Sequence, residues 1–473
     1  MKQQRLNFKL LAIFLVGLFI LLAAYGGYSI TVYGTRWFAF SGNTRVREEK
    51  SSVIQGDILD RNNVVLATTS DGKRVYQADE KSRRAVVHLL GDNQGYVSNG
   101  VESFQASYLL GFHTSLAERI VQATRGETRR GDNVTLTVDS KLCTAIANAF
   151  SSGAKTAGKS GAAVVINYKT GEVMALVSLP TFDPHKASEI SEDDPLKPFW
   201  NRATQSVFPP GSTFKIITMT SALQNLENIQ SQTLNCTGNL QVLDQIIHDY
   251  NQARHGDLSL KEAFTVSCNN IFASLALKLG DERLRKTAES FGFNDNFLFR
   301  DLVVENSTYP TTGRNQVEVA WSGVGQSHVA ATPLHMCMVA AAVANNGVMM
   351  EPRLIQSIVS SNGVARTSYS SKVYRKSLTE SLAATLQESM RAVVTSGTGS
   401  GAAVEGLKIC GKTGSAESAQ NGVDVTHAWF VGFIDNDDLP YAVSVVVEAG
   451  GGGGEVASPI ARQIFQYLKN NYR

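Results

Sequence analysis

Ala162-Ala163-Val164-Val165-Ile166 and Glu172-Val173-Met174-Ala175-Leu176-Val177 are two apolar runs joined by Asn167-Tyr168-Lys169-Thr170-Gly171. Two such runs around a turn segment read as a β-hairpin. Gly171 supplies the positive φ of the turn, which makes Lys169-Thr170-Gly171 a structural triplet. A second pair, Ala428-Trp429-Phe430-Val431-Gly432-Phe433-Ile434 and Tyr441-Ala442-Val443-Ser444-Val445-Val446-Val447, flanks Asp435 to Pro440 in the same way, and Pro459 to Tyr467 reads as a closing helix. Between the pairs, Leu260 to Leu279, Leu334 to Ala344 and Leu382 to Val394 carry apolar residues at helical spacing. Strands at both ends and helices in the middle predict an α+β layer fold whose terminal segments share one sheet.

Upstream, Arg45 to about Ser140 is polar and strand-poor, with Ile54 to Asn63 reading as a strand that enters an Asn-Asn turn. Val134-Thr135-Leu136-Thr137-Val138 alternates as a strand and gives way to a helical run from Lys141 to Phe150, so a domain boundary is expected near residue 150. Leu10 to Ala24 is apolar without a charge, and Tyr25 to Ile30 extends it to a length able to cross a bilayer. Lys2, Arg5 and Lys9 precede it and, by the positive-inside rule, hold the N-terminus in the cytoplasm. Tyr33, Trp37, Phe38 and Phe40 follow like an interfacial belt. The reading is a single-pass type II anchor: tail 1–9, span 10–31, a first extracytoplasmic domain 32–150 and a second 151–473. A cleaved secretory signal is the alternative, since Ala23-Ala24 supplies small residues; the length of the apolar stretch and the aromatic belt favour retention.

The chain of 473 residues is long enough for two or three domains, and 43% hydrophobic content suits globular folding. A formal charge of +2 argues against a nucleic-acid partner. The five cysteines, Cys143, Cys236, Cys268, Cys337 and Cys410, form no C-x-x-C pair and show no histidine spacing that indicates zinc, so neither a metal nor a cofactor is expected. Their odd number speaks against a disulfide framework, and Cys268 and Cys410 read as small buried fillers. Gly450 to Gly454 reads only as a flexible loop.

Three motifs carry the chemistry: Ser212-Thr213-Phe214-Lys215, Ser267-Cys268-Asn269 and Lys412-Thr413-Gly414. Each has decoys, at Ser70 to Lys73 and Ser152 to Lys155, at Ser41 to Asn43 and Ser360 to Asn362, and at Lys169 to Gly171. Pro209-Pro210-Gly211 forces the chain out of helix and releases it near Ser212, where free N–H groups and the positive dipole end can stabilise an oxyanion. Lys215 lies one turn on and shares a face with the serine. As a base at neutral pH it needs a lowered pKa, which burial by Phe208 and Phe214 and nearby cations would supply. An N-cap serine with an exposed lysine explains Ser70 and Ser152 and accounts equally for Ser212 taken alone.

Ser267 and Asn269 stand in an otherwise apolar helical run, where unpartnered polar groups cost about 1–3 kcal/mol each. Ser267 can pass a proton between Lys215 and a departing amine, and Asn269 can hold the lysine or a substrate amide; a mutually satisfied structural pair is the alternative. Lys408 to Glu417 reads as a strand in which Gly414 admits a ligand backbone. Lys412, Thr413 and Ser415 suit a terminal carboxylate, and an extended peptide could pair alongside.

At these residues the chain resembles the penicillin-binding proteins of the class B, monofunctional type. The likeness extends to Ile54 to Ala67, where Gln55 stands in place of the usual arginine, and to Gly161 to Pro184, Asn201-Arg202-Ala203, Gly325-Gln326 with Thr332-Pro333-Leu334, and Gly397-Thr398-Gly399. It runs from about residue 45 to the C-terminus. The resemblance implies an antiparallel sheet flanked by helices plus an all-helical subdomain, on a smaller N-terminal pedestal of the dimerisation type. It implies D,D-transpeptidase chemistry on peptidoglycan stem peptides of a lipid-linked precursor. Ser212 would be acylated with Lys215 as base, Ser267 would protonate the leaving D-alanine, and Asn269 would organise Lys215 and substrate. Lys412, Thr413, Gly414 and Ser415 would bind the carboxylate, and the backbone N–H groups of Ser212 and Ser415 would form the oxyanion hole. β-Lactams would acylate Ser212 covalently. The implied partner is a membrane glycosyltransferase of the shape, elongation, division and sporulation group; no segment resembles a glycan-polymerising domain.

Two other readings use the same serine. A serine β-lactamase of class A needs a glutamate in an E-x-x-x-N setting, which is lacking between Asn270 and Lys412. A non-enzymatic β-lactam sensor is expected to carry several spans and a cytoplasmic effector. A carboxypeptidase differs only in its acceptor.

Overall fold

The computed structural model describes residues 2–38, 48, 50, 52–126, 128–311, 314–420 and 423–472. Phe40, the side chains of Trp37 and Phe38, and the decoy Ser41 to Asn43 lie outside the described residues.

The two hairpins meet in one five-stranded antiparallel sheet, in the order Ile409–Gln420, Val423–Ile434, Tyr441–Val447, Gly161–Asn167, Val173–Leu179. Val443 pairs with Val165 and Val445 with Ala163, so the first and last strands lie side by side. Every residue of Val173–Leu179 and of Tyr441–Val447 is buried, which requires cover on both faces and explains why these strands read as unbroken apolar runs. The cover is helical. Pro333–Ala344, buried along its whole length, packs on the central strands; Ser140–Ser152 and Gly453–Asn471 pack on each other and on the sheet. Pro333 occupies the first turn and the Thr332 hydroxyl accepts the His335 N–H, fixing where the buried helix starts. Each Val, Leu or Met it removes from water contributes about 1.5–3 kcal/mol.

A helical unit stands at one end of the sheet, with Lys215–Asn225 packed against Asn269–Leu279, Asp281–Ser290 and Glu380–Ser396. The polar upstream region holds more strand than its composition indicates. Ile58–Leu59, Val65–Ser70, Lys73–Tyr76 and Asn133–Leu136 join Ile355–Val359 and Ala365–Ser368 in a six-stranded sheet. These strands are short and partly exposed, so they lack the apolar run that signals a strand in sequence.

The helix Lys2–Phe38 is long and apolar enough over Gln4–Gly34 to cross a membrane, and its large apolar side chains, Phe8, Phe14 and Phe19 among them, are exposed.

Candidate active site

Ser212 sits in the 3₁₀ turn Gly211–Phe214, which runs directly into the helix Lys215–Asn225. Two contacts seat this turn. The Trp429 indole Nε1 donates to Pro209 O at 3.0 Å, and Gly211 N donates to Gly325 O at 3.0 Å. Gly211 has φ +54°, and a Cβ there would lie 3.0 Å from Ser415 O and from the Ala416 Cβ. The nucleophile turn therefore lies directly against the strand Ile409–Gln420, beside Ser415. Ser212 stays partly exposed while Thr213, Phe214 and Lys215 are buried.

The run expected as one helix from Leu260 to Leu279 is two, Leu260–Thr265 and Asn269–Leu279, because the motif itself breaks it. Ser267 takes the left-handed φ of +61°, a conformation that costs a non-glycine residue about 1–3 kcal/mol and clusters at functional sites. Cys268 then caps the second helix, its sulfur accepting the Ile271 N–H. This break turns the Ser267 and Asn269 side chains toward Lys215.

Lys215 Nζ is buried and donates to Ser267 O at 2.6 Å, to Asn269 Oδ1 at 2.8 Å and to Ser267 Oγ at 3.3 Å. Burial pulls its pKa down from 10.5 to about 8. Lys412 is equally buried; its amine donates to Ser267 Oγ at 2.8 Å and to Thr413 O at 3.0 Å. Burial first, and then the Lys215 charge, push its pKa well below 10.5. The Lys412 amine thus bridges the second and third motifs, while Thr413 and Ser415 carry hydroxyls along the strand. The decoys go elsewhere: Ser70 and Lys73 close a hairpin, Ser152 ends a helix, Ser360 to Asn362 lies between paired strands, and Gly171 turns with φ +79°.

Ile409–Gln420 is the sheet's edge strand, so one side of its backbone is open to an added strand near the nucleophile turn. Sequence reasoning left four supports of this region without a role. Thr398 Oγ1 and Thr413 Oγ1 lie 2.6 Å apart. The Gln326 amide brackets Glu417, donating to its carbonyl at 3.2 Å and accepting its N–H at 2.8 Å. Gly453, read as part of a flexible loop, opens the helix Gly453–Asn471 and donates its N–H to Ser415 Oγ at 3.2 Å. A Cβ on Gly453 would lie 2.3 Å from both Gly414 O and Trp429 O, so the glycine is a close-approach residue.

The fourth support is Asp249, whose Oδ1 accepts the Asn269 backbone N–H. Its Oδ2 receives the Cys236 thiol at 3.0 Å and the Cys268 thiol at 3.3 Å, with His255 Nδ1 at 3.6 Å. Cys268 is therefore no simple filler, and Cys236, Asp249, His255 and Cys268 bring one ligand atom each to within 4.8 Å of one another. The sequence carries no familiar spacing for this set, because a strand end, two separate loops and a helix cap supply it.

The family model for the penicillin binding protein transpeptidase domain matches residues 161–466. The chain is 32% identical over 447 residues to peptidoglycan D,D-transpeptidase PbpA of Mycolicibacterium smegmatis, covering 89% of this chain and 90% of that one. It is 29% identical to stage V sporulation protein D of Bacillus subtilis, over 84% of this chain and 65% of that one. The structure superposes on the ceftriaxone acyl-enzyme complex of penicillin-binding protein A from M. tuberculosis with a TM-score of 0.81 at 28% identity, covering 89% of this chain and 99% of that one. Motif order, fold and these likenesses agree: the chain belongs to the penicillin-binding protein transpeptidase family, in its class B branch.

Proposed function

We propose that this protein is a membrane-anchored peptidoglycan D,D-transpeptidase that works through an acyl-enzyme on Ser212. The observation that carries the reading is the shared hydrogen-bond network of Lys215, Ser267, Asn269 and Lys412, built from all three motifs around one serine hydroxyl. A buried amine with a pKa of about 8 keeps a neutral minority near physiological pH, far larger than a free lysine would, and that form can take the Ser212 proton as the Oγ attacks the penultimate D-alanine carbonyl. The N–H groups of Ser212 and Ser415 are placed by this reading around the developing oxyanion. As the C–N bond breaks, Ser267 Oγ gives its proton to the leaving D-alanine and regains one from the lysines that donate to it. A second stem's amine then attacks the ester, reverses the proton path and releases Ser212. The substrate carboxylate lies against the Thr413 and Ser415 hydroxyls at Gly414, with the Lys412 charge beneath.

The relatives support the substrate class: one is named a peptidoglycan D,D-transpeptidase, and the M. tuberculosis protein forms an acyl-enzyme with a β-lactam. In this reading residues 10–31, within the helix Lys2–Phe38, anchor the protein in type II orientation, residues 32–150 act as a pedestal, and residues 151–473 work outside the cytoplasm beside a membrane glycosyltransferase of the shape, elongation, division and sporulation group. Intact-mass analysis with a β-lactam tests the chemistry. One stoichiometric adduct that persists for many minutes and is lost in Ser212→Ala is expected; an adduct surviving that substitution, or rapid hydrolysis by the parent, overturns it.

A further inference from the structure

The strand Ile409–Gln420 runs opposite Val423–Ile434 without a register shift, so its backbone groups alternate strictly between the sheet and the open edge. Two contacts fix the phase. Lys408 O receives the Asp435 N–H at 2.8 Å, so the even-numbered residues that follow face the sheet. Thr426, opposite Glu417, gives its carbonyl to the Gly451 N–H at 2.9 Å, away from Glu417. Thr413, Ser415 and Glu417 therefore direct both N–H and C=O to the open edge.

Two of these three positions already have partners within the chain. Thr413 O accepts the Lys412 amine at 3.0 Å. At Glu417 the Gln326 side-chain amide donates to the carbonyl at 3.2 Å and accepts the N–H at 2.8 Å. An added antiparallel strand makes the same reciprocal exchange with its own peptide groups. Gln326 thus imitates one rung of such a strand. Ser415, between the two, meets no backbone partner of this kind among the described residues.

The loop that presents Gln326 is rigid. Gly325 O accepts the Gly211 N–H at 3.0 Å, and Gly325 has φ +76° with its Cβ position 2.1 Å from Gly211 O, so only glycine fits. Gln326 N donates to Trp321 O at 3.0 Å. Ser327 and His328 follow with φ +54° and +68°, left-handed values that non-glycine residues keep only where the surroundings enforce them. Ala331 then exchanges both backbone bonds with Phe208, at 2.9 and 3.0 Å. Both ends of the loop are clamped to the segment that leads into Ser212.

We propose that Gln326 is a specificity-determining residue: it is a stop that limits backbone pairing by the donor stem to the one position at Ser415. The proposal rests on the acyl-enzyme reading above, in which the terminal carboxylate lies at Gly414 and the reacting carbonyl at the Ser415 N–H, so the upstream stem heads toward Glu417. Outward positions repeat every two residues, about 6.8 Å along the strand. The next rung within the stem's reach is Glu417, and Gln326 holds it. The bound peptide leaves the strand directly above its D-alanyl end, and the residues further up add little to recognition. The substrate class is any peptide with that end, whatever precedes it.

Two thioester donors given to the full-length protein in detergent test the stop. Both end in D-alanyl-thioglycolate, one acetylated on the D-alanine and one carrying acetyl-L-alanyl-L-alanyl in place of the acetyl group. Ser212 Oγ forms the ester as the C–S bond breaks, its proton passes to Lys215, and the released thioglycolate is read. In the unaltered protein the two kcat/KM values are expected within about twofold of each other. In Gln326→Ala and Gln326→Asn, whose side chains cannot reach Glu417, the ratio of long to short donor should rise at least fivefold, through KM. Damage common to both donors cancels in that ratio. Hydrogen exchange at the Glu417 amide should quicken at least tenfold in both variants. An unchanged ratio or exchange rate in a variant that still takes the β-lactam adduct overturns the stop alone, as does a ratio above fivefold in the unaltered protein. If neither the β-lactam nor the thioesters acylate the unaltered protein, the acyl-enzyme reading falls and the stop with it.

Discussion

Lys215 and Lys412 direct their amines at one atom: Ser267 Oγ lies 3.3 Å from the first and 2.8 Å from the second. Two ammonium groups cannot comfortably share so small a buried space, and both pKa values are pushed down, by burial first in each case. The free site therefore favours a single proton over two, and an arriving carboxylate favours charge on Lys412. A proton relay through Ser267 follows from this shared oxygen.

Acylation should rise with pH through about 8 as Lys215 loses its proton, measured as the second-order rate constant with a chromogenic β-lactam. Lys215→Met should lower it by about 10²–10⁴-fold. Stability should also rise with pH above about 8. The unfolded lysine holds its proton up to 10.5, so between the two values the unfolded chain binds more protons, and the cost of burying the amine fades. A rate profile flat from pH 6.5 to 9 would remove Lys215 as the base.

Ser267→Gly should separate stability from chemistry. Glycine relieves the left-handed backbone at φ +61° but gains freedom when unfolded, so chemical denaturation should show a change within about 1 kcal/mol. Acylation should nonetheless fall by about 10²-fold or more, because the shared hydroxyl is gone. Retained activity in a folded variant would assign the relay elsewhere.

Gly453→Ala should be costly although no side chain is lost. The new methyl meets two carbonyls at 2.3 Å, and overpacking of this kind costs about 1–3 kcal/mol. Thermal unfolding should shift down, and carboxylate-bearing substrates should lose affinity more than turnover, since Ser415 moves with the helix start. An unchanged melting temperature would mean that the helix can slide freely.

Trp429→Phe tests the seat of the nucleophile turn. It keeps the ring but deletes the indole donor to Pro209 O, leaving a loss of about 1 kcal/mol and a slower acylation with unchanged pH profile. A shifted profile would instead tie Trp429 to Lys215.

The central sheet was legible because its strands are buried on both faces and spell themselves out as apolar runs, from Ala162 to Val177 and from Ala428 to Val447. Motif order alone groups Lys215, Ser267, Asn269 and Lys412, and their hydrogen bonds join them around one hydroxyl. The breaking of Leu260 to Leu279 was hidden, since a serine in left-handed geometry leaves no compositional trace. Gly453 was hidden because close approach depends on a carbonyl nearly forty residues away in sequence, at Gly414. The Asp249 cluster was hidden for a related reason: its members are scattered singly, and only the pairing of Gly256 with Cys236 gathers them.

The six-stranded sheet carries a consequence for biogenesis. Its outer pair, Ile355–Val359 and Ala365–Ser368, is synthesised long after Ile58–Leu59 and Asn133–Leu136, yet Ile355–Val359 hydrogen-bonds Asn133–Leu136. The early part of the chain must wait, edge unprotected, until residue 359 has emerged, and such long-range closure is slow and prone to aggregation. Fragments ending earlier are expected to need a chaperone or to form inclusion bodies, which makes the intact polypeptide the proper unit for expression.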